Sequence, residues 1–313
     1  MKKHLFAICF TVALAAFTLY AALDTFVISS VYNENATGMN MSLFSDLTNE
    51  SESAETVRSE DEIDSGEKTD ETYSDNETYT DENITIKLTE YERYGTKIYV
   101  ADVTLSSASY LKTAFAKDTY GKNVTATTSS IATANGAILA VNGDYYGAQE
   151  KGYVIRNGIV YRSSARGSDV LCIFADGTVK VVSDRDNTAA ELVNMGVWQA
   201  FTFGPALIED STVAVDENDE VGKAKASNPR TAIGLIDANH FVFVVSDGRT
   251  DESEGLSLYE LATFMESLGV KAAYNLDGGG SSTMYFNGKV INNPTTNGKI
   301  KEREVSDIVY VGI

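Results

Sequence analysis

Tyr274-Asn275-Leu276-Asp277-Gly278-Gly279-Gly280-Ser281-Ser282-Thr283-Met284 is the stretch on which the reading of this chain turns. An apolar run over 270–276 leads into an acid, three consecutive glycines and three hydroxyls, and apolar and aromatic residues resume at Met284. Adjacent glycines carry a large entropic cost on folding, so inside a domain they mark backbone that turns sharply or approaches something closely. The NH groups of Gly278, Gly279 and Gly280, beside the hydroxyls of Ser281 and Ser282, make a cradle for an anionic oxygen, and Asp277 at the strand end supplies a carboxylate. A hairpin turn in which Asp277 bonds its own backbone is the competing reading of the same residues.

Just upstream, Ser257 and Glu260 form a capping box, and Leu261, Phe264, Met265 and Leu268 share one face before Gly269 closes the helix. Such a helix packs on a sheet and delivers the next strand to Asp277. Apolar and β-branched runs at 97–105, 137–141, 170–174, 178–182, 231–236, 241–245 and 308–311 read as further strands. Arg156-Asn157-Gly158-Ile159, Ala175-Asp176-Gly177-Thr178 and Phe286-Asn287-Gly288-Lys289 carry the signal of tight hairpins. The pattern predicts an α+β fold of mixed, mainly antiparallel sheets with few packed helices.

Outside that domain the composition changes twice. Lys2 and Lys3 precede an uncharged stretch over 5–23, close to the length that crosses a bilayer as a helix. It reads as a transmembrane signal anchor within residues 1–32, with a cleaved signal peptide as the competitor. The flanking lysines then place the rest of the chain outside the cytoplasm, as a single-pass protein of the cell membrane. Residues 33–83 are rich in Ser, Thr, Asp, Glu and Asn, too poor in apolar side chains to offset ordering entropy, and are expected to form a disordered linker. Residues 1–83 hold 4 Lys+Arg against 17 Asp+Glu, which accounts for 13 of the chain's 20 net negative charges. The acidity therefore belongs mainly to the spacer, and with no basic stripe anywhere nucleic acid is excluded as a partner. Residues 84–313 remain as one domain of about 230 residues with a sizeable core.

Two common chemistries are disfavoured in that domain. Its one cysteine, Cys172, lies in an apolar run, which rules out a disulfide framework and a Cys-rich zinc site and makes the thiol a core residue. His240 is its one histidine, in an Asp-Ala-Asn-His turn, so Ser-His triads and His-rich metal sites have little support.

Four polar clusters interrupt the apolar pattern at strand ends. These are Val141-Asn142-Gly143-Asp144-Tyr145-Tyr146-Gly147, Asn228-Pro229-Arg230-Thr231, Ser246-Asp247-Gly248-Arg249 and the glycine run. If 231–236 and 241–245 form a hairpin, Arg230 and Asp247 share its open end, either as a structural ion pair or as part of a site. Arg, Asp, Asn and hydroxyls gathered there suit a phosphate or a polyhydroxylated sugar.

Taken in order, Asn-Gly-x-aromatic-aromatic, Asn-Pro-Arg-Thr-Ala-Ile-Gly, Asp-Gly-Arg and Asn-Leu-Asp-Gly-Gly-Gly-Ser-Ser-Thr-Met resemble the phosphodiester glycosidase domain family, over nearly all of 84–313. This domain also occurs in many bacterial exopolysaccharide proteins. The resemblance implies hydrolysis of a sugar joined through its anomeric oxygen to a phosphodiester, with Asn142, Arg230, Asp247, Arg249, Asp277, Gly279, Ser281 and Ser282 lining the site. Asp144 departs from the pattern, where Gly or Ala is usual, and offers a substrate contact or a ligand for a divalent cation.

The leaving group of such a reaction is a phosphate monoester with a second pKa of about 6, so it departs with little acid assistance. The site needs cations and NH groups to hold the phosphate and a carboxylate to activate water or attack the sugar carbon. Arg230 and the 278–282 segment are assigned to phosphate, Asp277 is the leading carboxylate, and Asp247 is the second. The expected function is a membrane-anchored extracytoplasmic hydrolase of sugar-1-phosphodiesters in cell-surface or exopolysaccharide glycans. A noncatalytic module binding anionic wall polymer or exopolysaccharide is the alternative. A metal-dependent phosphodiesterase using Asp144, Asp247 and Asp277 as oxygen ligands ranks third.

Overall fold

Phe241 and Phe243 face one side of a strand whose Val242 and Val244 face the other, and all four are buried. This strand, His240–Ser246, is therefore covered on both faces, which is why it reads as an unbroken apolar run. The computed structural model describes residues 2–26, 30–31, 37–38, 77–219 and 227–313, with side chains over 9–23, 77–219 and 227–313.

The central sheet has eight strands in the order Thr212–Val213, Ala206–Glu209, Ala272–Asn275, Thr231–Asp237, His240–Ser246, Thr96–Leu105, Ile84–Arg93 and Glu77–Thr80. A five-stranded sheet runs Lys289–Val290, Met284–Phe286, Leu139–Asn142, Asp307–Val311, Leu111–Phe115. A six-stranded sheet runs Val179–Ser183, Asp169–Phe174, Val197–Phe201, Val154–Arg156, Ile159–Arg162, with Thr37–Gly38 at its edge. Among the described residues every pairing in these sheets is antiparallel.

Ile86, Val103, Phe241 and Phe243 from the central sheet meet Val141, Met284, Phe286 and Val309 from the second and Leu171 and Phe201 from the third in one core. The opposite face of the central sheet carries the helix Leu258–Ser267, whose Leu261, Phe264 and Met265 pack on Val242, Val244 and Ala273. Burying such side chains stabilises by about 1.5–3 kcal/mol each. Gly234 makes the approach possible, since a Cβ there would lie 2.6 Å from Val270 Cγ1 and 2.9 Å from Met265 Cε. The capping box of Ser257 and Glu260 forms as the sequence predicts, and Gly269 ends the helix at φ 78°. Two short helices, Thr128–Ala134 and Ala189–Asn194, are not marked by the apolar spacing, because six or seven residues are too few to establish a period.

The strands and the three hairpins read from the sequence are all present, with Asn157 and Gly158 at φ 51° and 74° and Asn287 and Gly288 at 46° and 88°. Glu77–Thr80, placed by composition in the linker, pairs with Ile84–Arg93, so the central sheet starts before residue 84. Of the expected linker, residues 37–38 and 77–83 are described, and the rest lies outside the described residues. The N-terminal helix spans Lys2–Phe26, and among the described residues no helix is long and apolar enough to cross a membrane.

A buried charge cluster ties the second and third sheets together. Arg156 donates through Nε to Asp307 Oδ2 at 2.9 Å and through Nη2 to Asp144 Oδ1 at 2.8 Å, while its Nη1 meets the Ala200 carbonyl. Its guanidinium lies 4.2 Å from the Phe201 ring centre. Asp144 also accepts from the Thr202 N–H at 2.9 Å. Two carboxylates thus share one cation away from water, and burial, with Asp144 alongside, pushes the Asp307 carboxyl up to about 7. Gly143 is required beside it, since a Cβ there would lie 2.1 Å from Asp307 Oδ1.

An unfolded Asp titrates near 3.9. Between about pH 4 and 7 the folded protein keeps a proton that the unfolded chain has released, so this group's contribution to stability declines as pH rises and is lost above the folded value. Asp307→Asn is expected to flatten the fall of melting temperature from pH 5 to pH 8; an unchanged slope would remove Asp307 as its source.

Candidate active site

All four polar clusters reach one cavity, three of them because antiparallel pairing returns their strand ends to one edge of the central sheet. Ala232 pairs with Asn275, and the Leu276 N–H donates to the Thr231 carbonyl at 2.8 Å, so Arg230 and Asp277 leave neighbouring strands side by side. The Ser246 N–H donates to the Arg230 carbonyl at 2.9 Å, which brings the 246–249 segment to the same edge. A cavity of about 740 Å³ opens there, lined by Tyr145, Phe203, Asn228, Arg230, Arg249, Asn275, Asp277, Gly278, Gly279 and Arg303. Arg230, Asn275, Asn228 and Asp277 are its buried floor, and Tyr145, Arg249 and Arg303 its exposed or half-exposed rim.

The glycine run works by close approach. The Gly279 N–H donates to the Pro229 carbonyl at 2.8 Å, and Gly279 itself has φ 62°. A Cβ on Gly279 would lie 2.9 Å from Arg249 Nη2, and one on Gly278 2.8 Å from the Pro229 carbonyl. Arg249 is oriented by Asn228, whose Oδ1 accepts from its Nη2 at 2.8 Å and its Nε at 3.2 Å. Arg249 and Tyr145, both wall residues, hold φ of 62° and 66°. For non-glycine residues that costs on the order of 1–3 kcal/mol each, strain that collects at sites of function. Arg230 donates through Nε to the Leu256 carbonyl at 2.8 Å.

Asp277 is held by a residue the sequence reading omitted. Arg303 Nη2 donates to Asp277 Oδ2 at 2.7 Å, its Nε donates to Ser281 Oγ at 2.8 Å, and its Cζ lies 5.9 Å from the Tyr145 ring centre. Burial pushes the Asp277 carboxyl above its ordinary range; Arg303 and the Ser281 hydroxyl pull against that without overcoming it. The described wall carries three guanidiniums and one carboxylate, an excess of positive charge that suits an anion.

Residues 135–312, more than half of the chain, match the family model for phosphodiester glycosidase. The chain belongs to the phosphodiester glycosidase family. One relative is the SPbeta prophage-derived uncharacterized protein YomE of Bacillus subtilis (strain 168), 28% identical over 231 residues, 67% of this chain and 36% of that protein. Another is the mouse N-acetylglucosamine-1-phosphodiester alpha-N-acetylglucosaminidase, 29% identical over 205 residues, 59% of this chain and 40% of that protein. The chain thus spans about two fifths or less of the length of these relatives. Among solved structures, the catalytic domain of the zebrafish N-acetylglucosamine-1-phosphodiester alpha-N-acetylglucosaminidase, auto-inhibited by its pro-peptide, aligns with TM-score 0.58 and 20% identity. That alignment covers 73% of this chain and 82% of that one. A hypothetical protein from Synechocystis aligns with TM-score 0.59 and 16% identity, covering 76% and 64% respectively. At these identities the two structures establish a shared fold.

Within this phosphodiester glycosidase domain, Arg230, Arg249, Asp277, Gly278 and Gly279 line the cavity among the residues singled out from sequence. Six others stand elsewhere. Asn142 lies beneath the cavity, donating through Nδ2 to the Asp277 carbonyl at 2.6 Å and accepting at Oδ1 from Thr231 Oγ1 at 2.8 Å and the Thr283 N–H at 3.3 Å. Asp144 belongs to the Arg156 cluster, so the expected cation ligand is committed to a buried ion pair. Asp247, expected as a second catalytic carboxylate, is buried beside the site and accepts from the Asn293 N–H at 2.8 Å, from Asn292 Nδ2 and from the Tyr99 hydroxyl. Its carboxylate clamps the 292–293 loop. Gly280 packs against Thr296, Ser281 is taken by Arg303, and Ser282 is fully buried.

Asp144, Asp247 and Asp277 thus have separate partners, and among the described residues no group of three or more His, Cys, Asp or Glu is arranged to hold a metal ion. Cys172 is buried, with its thiol pushed up to about 12, as suits a core residue. The wall residues that the sequence reading did not assign are Arg303, Asn275, Asn228, Tyr145 and Phe203. Asn228, Asn275 and Tyr145 stand inside the quoted motifs; Arg303 and Phe203 have no such marker.

Removing the Arg303 guanidinium leaves the Asp277 carboxylate buried without its counter-charge. In Arg303→Ala the Asp277 pKa, followed by carboxyl carbon NMR, is expected to rise by about 1–3 units. An unmoved titration would mean that Arg303 does not set the charge of this carboxyl.

Proposed function

We propose that this chain is a hydrolase that cleaves the bond between the anomeric carbon and the phosphate oxygen of a sugar-1-phosphodiester in a cell-surface or exopolysaccharide glycan. The observation that carries the reading is the single cavity that unites Arg230, Arg249 and Arg303 with the buried carboxylate of Asp277, in a chain of this family. The glycosidase activity in the names of the mouse and zebrafish relatives supplies the bond type.

Ordinary glycosidases place two carboxyl groups about 5–9.5 Å apart, one of them to protonate a poor leaving group. The described wall here has one carboxylate. That suits a phosphate leaving group, which takes the electron pair of the broken C–O bond onto an oxygen already stabilised by guanidiniums. Water attacks the anomeric carbon, and its proton passes to Asp277. Burial makes Asp277 a stronger base than a surface aspartate, and the Arg303 pair orients it. The products are the free sugar and a phosphate monoester. Tyr145 and Arg303 also wall a second cavity of about 200 Å³, room next to the first for the second substituent of a diester.

The base must be ionised, so kcat/KM falls as pH drops through the folded pKa of Asp277, which lies above the usual aspartate range. Asp277→Asn is expected to lower kcat by about 10²–10⁴-fold while leaving the melting temperature nearly unchanged. In labelled water the wild type should place the heavy oxygen in the sugar. Label in the phosphate instead would indicate attack at phosphorus, and no sugar release from any sugar-1-phosphodiester would indicate a binding module.

The uncharged stretch over 5–23, with Lys2 and Lys3 before it, supports a role for the N-terminal helix as a single-pass anchor that holds the domain outside the cytoplasm. The full chain is then expected to stay with the membrane fraction in alkaline carbonate; recovery in the supernatant would sink the anchor.

A further inference from the structure

Tyr145 holds an exposed ring on a strained backbone. Its φ of 66° lies in the left-handed region, and the residue is 44% exposed. The residues around it are fixed. Asp144 accepts from Arg156 Nη2 at 2.8 Å and from the Thr202 N–H at 2.9 Å, and the Tyr146 ring stacks on Tyr120 with centres 5.1 Å apart. The Ala148 N–H donates to the Tyr145 carbonyl at 3.2 Å, and Gly147 packs so closely that a Cβ there would lie 2.2 Å from Ser306 Oγ. With both neighbours drawn inward, residue 145 is turned outward. Glycine would hold the same turn without strain, so the backbone does not account for a tyrosine here, and strain of this kind collects where a side chain serves a ligand.

The position of the ring says which ligand group it meets. Tyr145 and Arg303 belong to the walls of both cavities. Asp277, Arg230 and Arg249 line the first and not the second, whereas Asn123, Thr125, Glu304 and Ser306 line the second and not the first. A sugar whose anomeric carbon lies at Asp277, with its phosphate among the guanidiniums, therefore enters the second cavity through the other ester oxygen of that phosphate, past Arg303 and Tyr145. Tyr145 is the aromatic residue among the described lining of the second cavity, and the rest of that lining is largely polar. A hydroxylated unit matches both surfaces, since its C–H groups pack on a ring and its hydroxyls meet the polar wall.

We propose that Tyr145 is the specificity-determining residue for the leaving group: its ring packs on the first hydroxylated unit beyond the phosphate, seated in the second cavity. The assignment rests on the sugar-phosphodiester reading for the order of the groups along the substrate. Its test uses phosphate monoesters, which correspond to the product and need no turnover, so the two can fail separately.

Glycerol 3-phosphate and glucose 6-phosphate are titrated against the full chain by NMR, with inorganic phosphate as the reference. The wild type is expected to bind at least one ester about tenfold more tightly than phosphate. Tyr145→Ala should erase that advantage and leave phosphate affinity within about twofold, while Tyr145→Phe, which keeps the ring, should retain it. Equal affinity for phosphate and both esters, or binding of none of the three, overturns the proposal. So does an advantage that survives Tyr145→Ala or is lost in Tyr145→Phe. A parallel loss of phosphate overturns it too, since Tyr145 would then act only by holding Arg303. Tyr145→Gly relieves the backbone, so its melting temperature should stay within about 4 °C of the wild type while the advantage disappears. A larger fall would mark a structural residue and count against the proposal. Loss of the ester advantage in Tyr145→Ala, without turnover of any sugar-1-phosphodiester, would uphold Tyr145 and sink the hydrolase.

Discussion

A single buried amide, that of Asn142, holds the seam on which the site is built. Asn142 ends a strand of the five-stranded sheet, and its side chain reaches the Asp277 carbonyl and the Thr231 hydroxyl from the central sheet and the Thr283 N–H on the way back. All three partners are buried main-chain or hydroxyl groups that would otherwise lack a bond, and a group left so costs about 1–3 kcal/mol. The carboxylate of Asp277 and the glycines after it are therefore placed by a side chain outside the cavity. Asp247 does comparable work on the far side, gripping the 292–293 loop, and the Arg156 cluster fastens the third sheet behind both.

Rigidity of that kind lets one cavity combine opposed electrostatic demands. Three guanidiniums and one carboxylate share its wall. Burial supplies the counterweight: it raises the proton affinity of Asp277 against the pull of Arg303. Glycine at 278 and 279 lets the Pro229 carbonyl and the Arg249 guanidinium come within contact of the main chain, where any Cβ would intrude.

Local physics wrote much of this plainly into the chain. The Ser257 capping box, the Asn-Gly and Asp-Gly hairpins, the doubly covered strand around Phe243 and the inert Cys172 each depend on a few neighbouring residues or on side-chain period. Glu77–Thr80 escaped because an edge strand buries little, and its four residues match the composition of the acidic segment before them.

The gathering of Arg230, Arg249 and Asp277 followed from order along the chain, since antiparallel strands carry such clusters to one edge. What the chain by itself determined, then, was which segments meet and which chemistry they bring. The tertiary structure alone decided which side chains face the cavity. Asp247 and Asp144 sit in motifs as polar as those of Asp277, yet both turn into buried networks, because Asn293, Thr202 and Arg156 approach from distant segments. Arg303 lies in a loop without period or motif and reaches Asp277 across 26 residues. Direction at a strand end is set by whichever partner the packed neighbours leave within hydrogen-bond reach, and that is a property of the assembled sheets.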